Sequence, residues 1–274
     1  MNELSKIRVF IRGAGELASA TALTLHRTGF QVIMTELNVP LAIRRTVSFS
    51  EAITEGKATV ENIQAVRTNI DDLKAKVNQN VIPILIDSAD LVNVVKPDIY
   101  IDARMIKSVV TDLRDESYLT IGLGPGFTVN ENCDAVIETM RGHNLGKILW
   151  DGSAQENTGI PGKIGGESAR RVIHAKLNGE LKWMVNIGDS VRRDQVIGKI
   201  NEEEFYSQID GLVRGLISPQ VEIKKGMKIA DIDPRGKNVN YKTISDKARN
   251  IGRGVLEAIL VYLNNGKNYI TKNN

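Results

Sequence analysis

The sequence is short of the residues that staple small secreted or metal-held folds together. It has one cysteine, Cys133, among 274 residues, so it can form neither an internal disulfide nor a thiolate cage for a structural zinc, and a reducing compartment fits. Its three histidines, His26, His143 and His174, are scattered, with no pair at His-x-x-x-His or similar spacing, and no preformed metal site is expected. An excess of one charge is also missing. With 36 basic and 33 acidic residues the net charge is +3, which gives none of the broad positive field that nucleic acid requires, so nucleic acid is not an expected partner. No apolar run approaches the roughly twenty residues of a bilayer span, and residues 1–6 lack the basic and apolar regions of a signal peptide. A cytoplasmic protein without a membrane partner is expected.

What is present suits one or two globular domains: 42% hydrophobic residues and 24 glycines. Ile7 to Ile11 alternates like a short strand and runs into the turn Gly13-Ala14-Gly15. From Leu17 to Arg27 apolar residues recur at helical spacing, and Gly29 is placed to end that helix. Gln31 to Thr35 reads as a second strand, a helix is expected to open at residues 69–73, and Ile82 to Ile86 and Asp98 to Asp102 read as further strands. Pro83 is awkward inside a central strand. Strands alternating with helices predict a mostly parallel, Rossmann-like α/β sheet over residues 1–174, with additional loops and a hairpin.

After about residue 175 the pattern changes to short apolar runs punctuated by glycine and aspartate. A small all-β domain is expected over 175–236. Residues 185–191 (VNIGDSV) and 221–227 (VEIKKGM) share an apolar pattern ending in a glycine turn, and each leads into another apolar run, which suggests a two-fold repeat. Residues 237–274 close the chain with a helix capped by Ser245. Ala248, Ile251, Val255, Ala258, Ile259 and Tyr262 lie along one face. So wide an apolar face expects burial, against the main domain or, as a homo-oligomer, against a partner subunit.

The strongest chemical signal is the Gly-x-Gly-x-x-Ala turn, because it joins a strand to a helix. There Gly13 permits the tight turn, Gly15 lets the backbone approach phosphate, and Ala18 lets helix pack on strand, while the helix N-terminus offers free N–H groups to a diphosphate. Arg12, Ala14, Glu16 and Leu17 belong to the same expected site. Glu36, about twenty residues on, is positioned to hold a ribose diol, which favours an unphosphorylated ribose. A purely structural turn with an unrelated glutamate is the competing reading. Glu16 is a mild objection, since a carboxylate beside phosphate repels it unless it points away.

Arg44 and Arg45, followed by Thr46, Ser48 and Ser50, could capture phosphate or carboxylate, or form a solvated helix face. Gly122, Gly124 and Gly126 could line an anion site with backbone N–H groups, or simply make a turn. Glu138, Arg141 and His143 lie close together in sequence and could form an acid–base or anion site, or decorate a hairpin. Cys133 reads as a small buried residue rather than an activated thiolate.

Several of these segments together resemble the accessory proteins of selenium-dependent molybdenum hydroxylases, the YqeB-like family. The resemblance is carried by residues 11–18 (IRGAGELA), 34–36 (MTE), 40–52 (PLAIRRTVSFSEA), 102–105 (DARM), 122–127 (GLGPGF), 137–143 (IETMRGH), 157–162 (NTGIPG) and parts of 246–258. Glu16 stands where aspartate is as common and Lys147 where arginine is, with the charge kept at both. The resemblance implies a role in maturing or inserting the molybdenum cofactor, with a molybdenum hydroxylase or a selenium-delivery protein as partner. The expected ligand is a dinucleotide, a molybdopterin dinucleotide or NAD. Arg12, Arg44 and Arg45 would neutralise phosphate, Glu36 would hold a ribose, and the loops at 122–127 and 141–143 would close over the far end. No catalytic residue is assigned. An NAD-dependent oxidoreductase is the first alternative, although the Tyr-x-x-x-Lys pair of many short-chain dehydrogenases is absent, and a docking scaffold without catalysis is the second. The β domain resembles the biotinyl or lipoyl barrel-sandwich hybrid, but residues 201–205 (NEEEF) hold no lysine for a swinging arm.

Overall fold

A computed structural model of the protein describes residues 3–77, 80–108, 110–159 and 162–265; Ile160 and Pro161, part of the 157–162 motif, lie outside them. In chain order the first domain contains β1 (Arg8–Arg12), α1 (Glu16–Arg27), β2 (Gln31–Glu36), α2 (Glu51–Glu55), β3 (Lys57–Val60), β4 (Ile63–Arg67), α3 (Leu73–Val77), β5 (Ile82–Ile86), α4 (Leu91–Val95), β6 (Ile99–Asp102), β7 (Leu119–Leu123), β8 (Ala135–Ile137) and β9 (Ile148–Leu149). They form one nine-stranded sheet in the order β3-β4-β5-β2-β1-β6-β7-β8-β9. From β4 to β8 every neighbouring pair is parallel, and the antiparallel partners β3 and β9 close the two edges. This is the doubly wound arrangement that the strand–helix alternation predicts.

Period-two alternation sorts the side chains into two cores. On β1, Val9 and Ile11 join the cluster under α1, while Phe10 joins the opposite cluster with Ile33, Tyr100 and Phe127. Pro83 fits inside the sheet because the pairing of β5 with β2 starts only at Ile84. One local expectation changes. The helix expected near residue 69 begins at Leu73, because Asn69 instead accepts the N–H of Asp72 at 2.9 Å in a side-chain turn. The β3–β4 hairpin turns through Glu61 and Asn62, both at positive φ. A two-residue turn without glycine leaves a weak sequence signal.

The second domain contains β10 (Val172–His174), β11 (Leu181–Trp183), β12 (Ser190–Val191), β13 (Val196–Ile200), β14 (Glu203–Tyr206), β15 (Gly211–Leu216) and β16 (Lys228–Asp233). They make a four-stranded sheet, β10-β16-β15-β12, and a three-stranded sheet, β11-β13-β14, around one apolar core. Since β10 pairs with β16, the unit starts ahead of residue 175. Gly188 and Gly226, the matching glycines of the repeat, both take positive φ. The β13–β14 hairpin tip is Asn201-Glu202 and carries no lysine.

The last helix, α5 (Asp246–Asn265), is capped as expected: the Ser245 hydroxyl accepts the N–H of Ala248 at 3.2 Å. Its apolar face packs on the main domain, with Ala248, Ile251, Val255, Ala258 and Ile259 buried in the α1 core. A Cβ on Gly252 would stand 2.9 Å from the carbonyl oxygen of Ala20, so glycine sets how closely α5 approaches α1. Among the described residues no helix is long and apolar enough to cross a membrane.

Candidate functional site

Strand order reverses between β1 and β6, and in open parallel sheets the crevice beyond the carboxyl ends at such a point is where ligands bind. A cleft of about 330 Å³ opens there. Gly13 (φ +99°) makes the turn, where a Cβ would lie 3.3 Å from the Ala103 carbonyl. Gly15 precedes α1 with extended backbone and no side-chain cap, and no atom lies within 4 Å of where its Cβ would be. The first turn of α1 lines the cleft without a side-chain cap, which puts the partial positive charge of the helix N-terminus at the cleft wall. Ala18 is buried against the sheet, as the motif requires. Leu17, Leu37, Leu41 and Met105 supply apolar walls, and Glu36 and Asp87 supply carboxylates.

The cations beside the cleft are already paired. Arg12 grips Asp87 with two nitrogens, at 2.9 to 3.1 Å, and Thr35 donates to the same carboxylate at 2.9 Å. Arg104 pairs with buried Asp102. Arg12 is therefore not a free phosphate ligand, because its charge is matched within the fold. Glu36 sits at the end of β2 as expected, but its Oε2 accepts the N–H of Ala14 and its Oε1 that of Leu37, at 2.9 and 2.8 Å. The Ala14 amide thus faces Glu36 rather than a diphosphate, and Ala14 itself is buried. Burial raises the Glu36 pKa, and the two amide bonds only partly counter this.

The remaining expected residues divide among other environments. Glu16 borders the cleft, yet its Oε1 accepts the N–H of Ser245 at 2.9 Å and its carboxylate lies 3.4 Å from Arg44. It points away from the phosphate position, which removes the repulsion expected of it. Arg44 and Arg141 line a second cavity instead. Arg45 faces the β domain, donating to the Leu216 carbonyl at 2.9 Å and pairing with Glu51. His143 is exposed on the loop before β9. None of Gly122, Gly124 and Gly126 lines the cleft. They are packing glycines: a Cβ would run into the Phe127 ring at Gly122, the Thr139 hydroxyl at Gly124 and the Ile106 carbonyl at Gly126. Cys133 is wholly buried, and burial pushes its thiol up to about 12.

Sequence reasoning missed Asp87, Leu37, Leu41 and Met105. Asp87 had a usable signal, an acidic residue directly after a strand of a parallel sheet, where functional groups gather. Met105 takes positive φ (59°), which residue type does not announce.

No family model matches the chain. The chain is 44% identical over 260 residues to the uncharacterized protein YqeB of Escherichia coli (strain K12), and the match covers 94% of this chain and 48% of that protein. The chain thus spans about half the length of the curated relative, and this identity supports the YqeB-like grouping. Among solved structures, TcdA (CsdL) overlaps 54% of this chain and 58% of its own, at 16% identity and a TM-score of 0.29. The apo ectoine utilization protein EutE (DoeB) from Ruegeria pomeroyi overlaps 82% and 85%, at 9% identity and 0.26. A succinylglutamatedesuccinylase/aspartoacylase from Rhodobacter sphaeroides overlaps 82% and 84%, at 13% identity and 0.26.

Proposed function

We propose that this chain is a cytoplasmic accessory factor that matures or inserts the molybdenum cofactor of selenium-dependent molybdenum hydroxylases, holding a dinucleotide in the glycine cleft. The observation that carries the binding half is the uncapped N-terminus of α1 opening, past an unobstructed Gly15, into a cleft edged by Glu36. A diphosphate fits those amides. Because the neighbouring arginines are paired, the site holds phosphate by amides and helix dipole rather than by a free cation. The same pairing leaves neither Arg12 nor Arg104 for a ribose 2′-phosphate, and Glu36 retains lone pairs for a ribose diol. At about 330 Å³ the cleft takes the diphosphate and one nucleoside half. Leu37 and Leu41 flank the base, and the other half extends outside.

The pathway half rests on the motifs that resemble the family; the E. coli relative is itself uncharacterized and bears on the grouping alone. A molybdenum hydroxylase or a selenium-delivery protein is the partner this reading calls for. Calorimetric titration with a molybdopterin dinucleotide and with NAD tests the proposal. Wild type is expected to bind the molybdopterin dinucleotide, and Gly15→Asp, which places a carboxylate in open space at the diphosphate position, to lose binding without losing the fold. Equal binding by wild type and variant refutes the site. Preference for NAD with turnover moves the assignment to an oxidoreductase.

A further inference from the structure

A second cavity, of about 560 Å³, opens where the first domain, the β domain and the start of α5 meet. Arg44, Arg141, Lys163, Arg214, Arg235 and Ser245 contribute to its wall. These positions come from segments far apart in the chain, so the fold alone assembles the cluster.

Three of the arginines have partners. Arg141 holds Asp246 with two bonds, at 2.7 and 2.8 Å. Arg235 pairs with Asp233 at 2.8 Å. Arg214 shares Asp231 with Arg171 and reaches Asp233 at 3.2 Å. Arg44 differs. It is only 9% exposed, and its buried Nε bonds to nothing. Its terminal nitrogens make only long contacts, to Glu16 at 3.4 Å and to the Thr243 carbonyl at 3.5 Å. Lys163 is exposed and has no ion pair among the described residues. With Arg171 included, six cationic side chains meet four carboxylates, Glu16, Asp231, Asp233 and Asp246, so the balance is positive. The N-terminus of α5 adds partial positive charge at Ser245 and Asp246.

A buried guanidinium with unspent donors is costly unless a ligand supplies acceptors. Burial lowers the Arg44 pKa; Glu16 opposes that, and the Arg214 charge adds to it. An oxyanion against the Arg44 terminal nitrogens would replace their long contacts with closer acceptors and relieve the repulsion between like charges. At about 560 Å³ the cavity is also much larger than one oxyanion needs and leaves room for a further part of a ligand.

We propose that this interdomain cavity is a second ligand site, distinct from the glycine cleft, which takes the phosphate of a small phosphorylated molecule against Arg44, Lys163 and Arg214. The inference does not rest on the dinucleotide reading. Glu16 forms the partition, bordering the glycine cleft while its carboxylate contacts Arg44.

The intact chain, in phosphate-free buffer, is titrated with ribose 5-phosphate, with ribose as the control, by calorimetry and thermal shift. Saturable binding and a raised Tm are expected with ribose 5-phosphate and not with ribose. Lys163→Ala removes an exposed charge, leaves the fold intact, and is expected to weaken binding about two- to fivefold. Arg44→Gln is expected to weaken it about tenfold or more, with circular dichroism confirming the fold. Gly15→Asp should leave this binding unchanged, which separates the result from failure of the glycine cleft. No saturable binding, binding of ribose itself, or equal affinity in wild type and Lys163→Ala overturns the inference.

Discussion

The Glu16 carboxylate, on the first turn of α1, accepts the backbone N–H of Ser245 at 2.9 Å across 229 residues of sequence. One side chain therefore joins the glycine turn to the start of the last helix, and it also stands 3.4 Å from Arg44 in the wall of the interdomain cavity. A carboxylate beside a diphosphate site would normally weaken it. Here the acid is drawn toward a second helix N-terminus and a guanidinium instead.

Glu16→Ala is expected to destabilise the protein by about 1–3 kcal/mol, since it strands a buried guanidinium and an amide. Dinucleotide affinity in the glycine cleft should stay within about twofold, because the carboxylate does not face that ligand. Urea denaturation and calorimetry check the two halves; a large loss of dinucleotide affinity would return Glu16 to the binding site.

The two glycines of the turn should respond to different degrees. Gly13 is at φ +99° with the Ala103 backbone 3.3 Å from its would-be Cβ, so Gly13→Ala is expected to cost about 1 kcal/mol or more. Gly15 has ordinary φ and open space, and Gly15→Ala should change stability by less than about 1 kcal/mol. Denaturation midpoints of the two variants decide this.

The bond from Arg141 holds Asp246 well below the usual carboxylate range, although partial burial acts in the other direction. A depressed folded pKa contributes stability that is present above the ordinary aspartate value, near 4, and is lost as pH falls through the folded value. Arg141→Gln is expected to lose about 0.5 kcal/mol near neutral pH, a small figure because the pair is exposed, and to match wild type more closely in acid. Urea curves at about pH 7 and about pH 3 test this, and a constant difference would refute it.

Cys133 is fully buried, with its thiol raised to about 12 by burial first and by the charge of Asp134 second. Iodoacetamide at about pH 8 should leave the native protein unmodified and label it once unfolded, so labelling should follow unfolding. Rapid labelling of the native state, read by mass spectrometry, would contradict this burial.

Much of the fold was legible because it depends on local periodicity. Ile7 to Ile11 alternates, Leu17 to Arg27 carries apolar residues at helical spacing, Ser245 is a helix cap, and each appears in the structure near its expected place. The β3–β4 hairpin was not legible, since Glu61 and Asn62 adopt positive φ without glycine to signal it. The candidate site was half legible. Gly13, Gly15, Leu17 and Glu36 meet in the cleft, while Gly122, Gly124 and Gly126 pack tightly elsewhere, because a glycine looks alike in sequence whether it opens a ligand site or admits a neighbouring side chain.

The sequence by itself determined the strand–helix alternation, the glycine turn at the end of the first strand and the change to a β domain, since each follows from neighbours along the chain. Only the tertiary structure decided which charges remain available. Arg12 is neutralised by Asp87, Glu16 turns to Ser245, and Arg44 is buried with its Nε unbonded. Those outcomes depend on partners tens to hundreds of residues away, and electrostatic pairing acts through distance in space, which residue spacing does not encode.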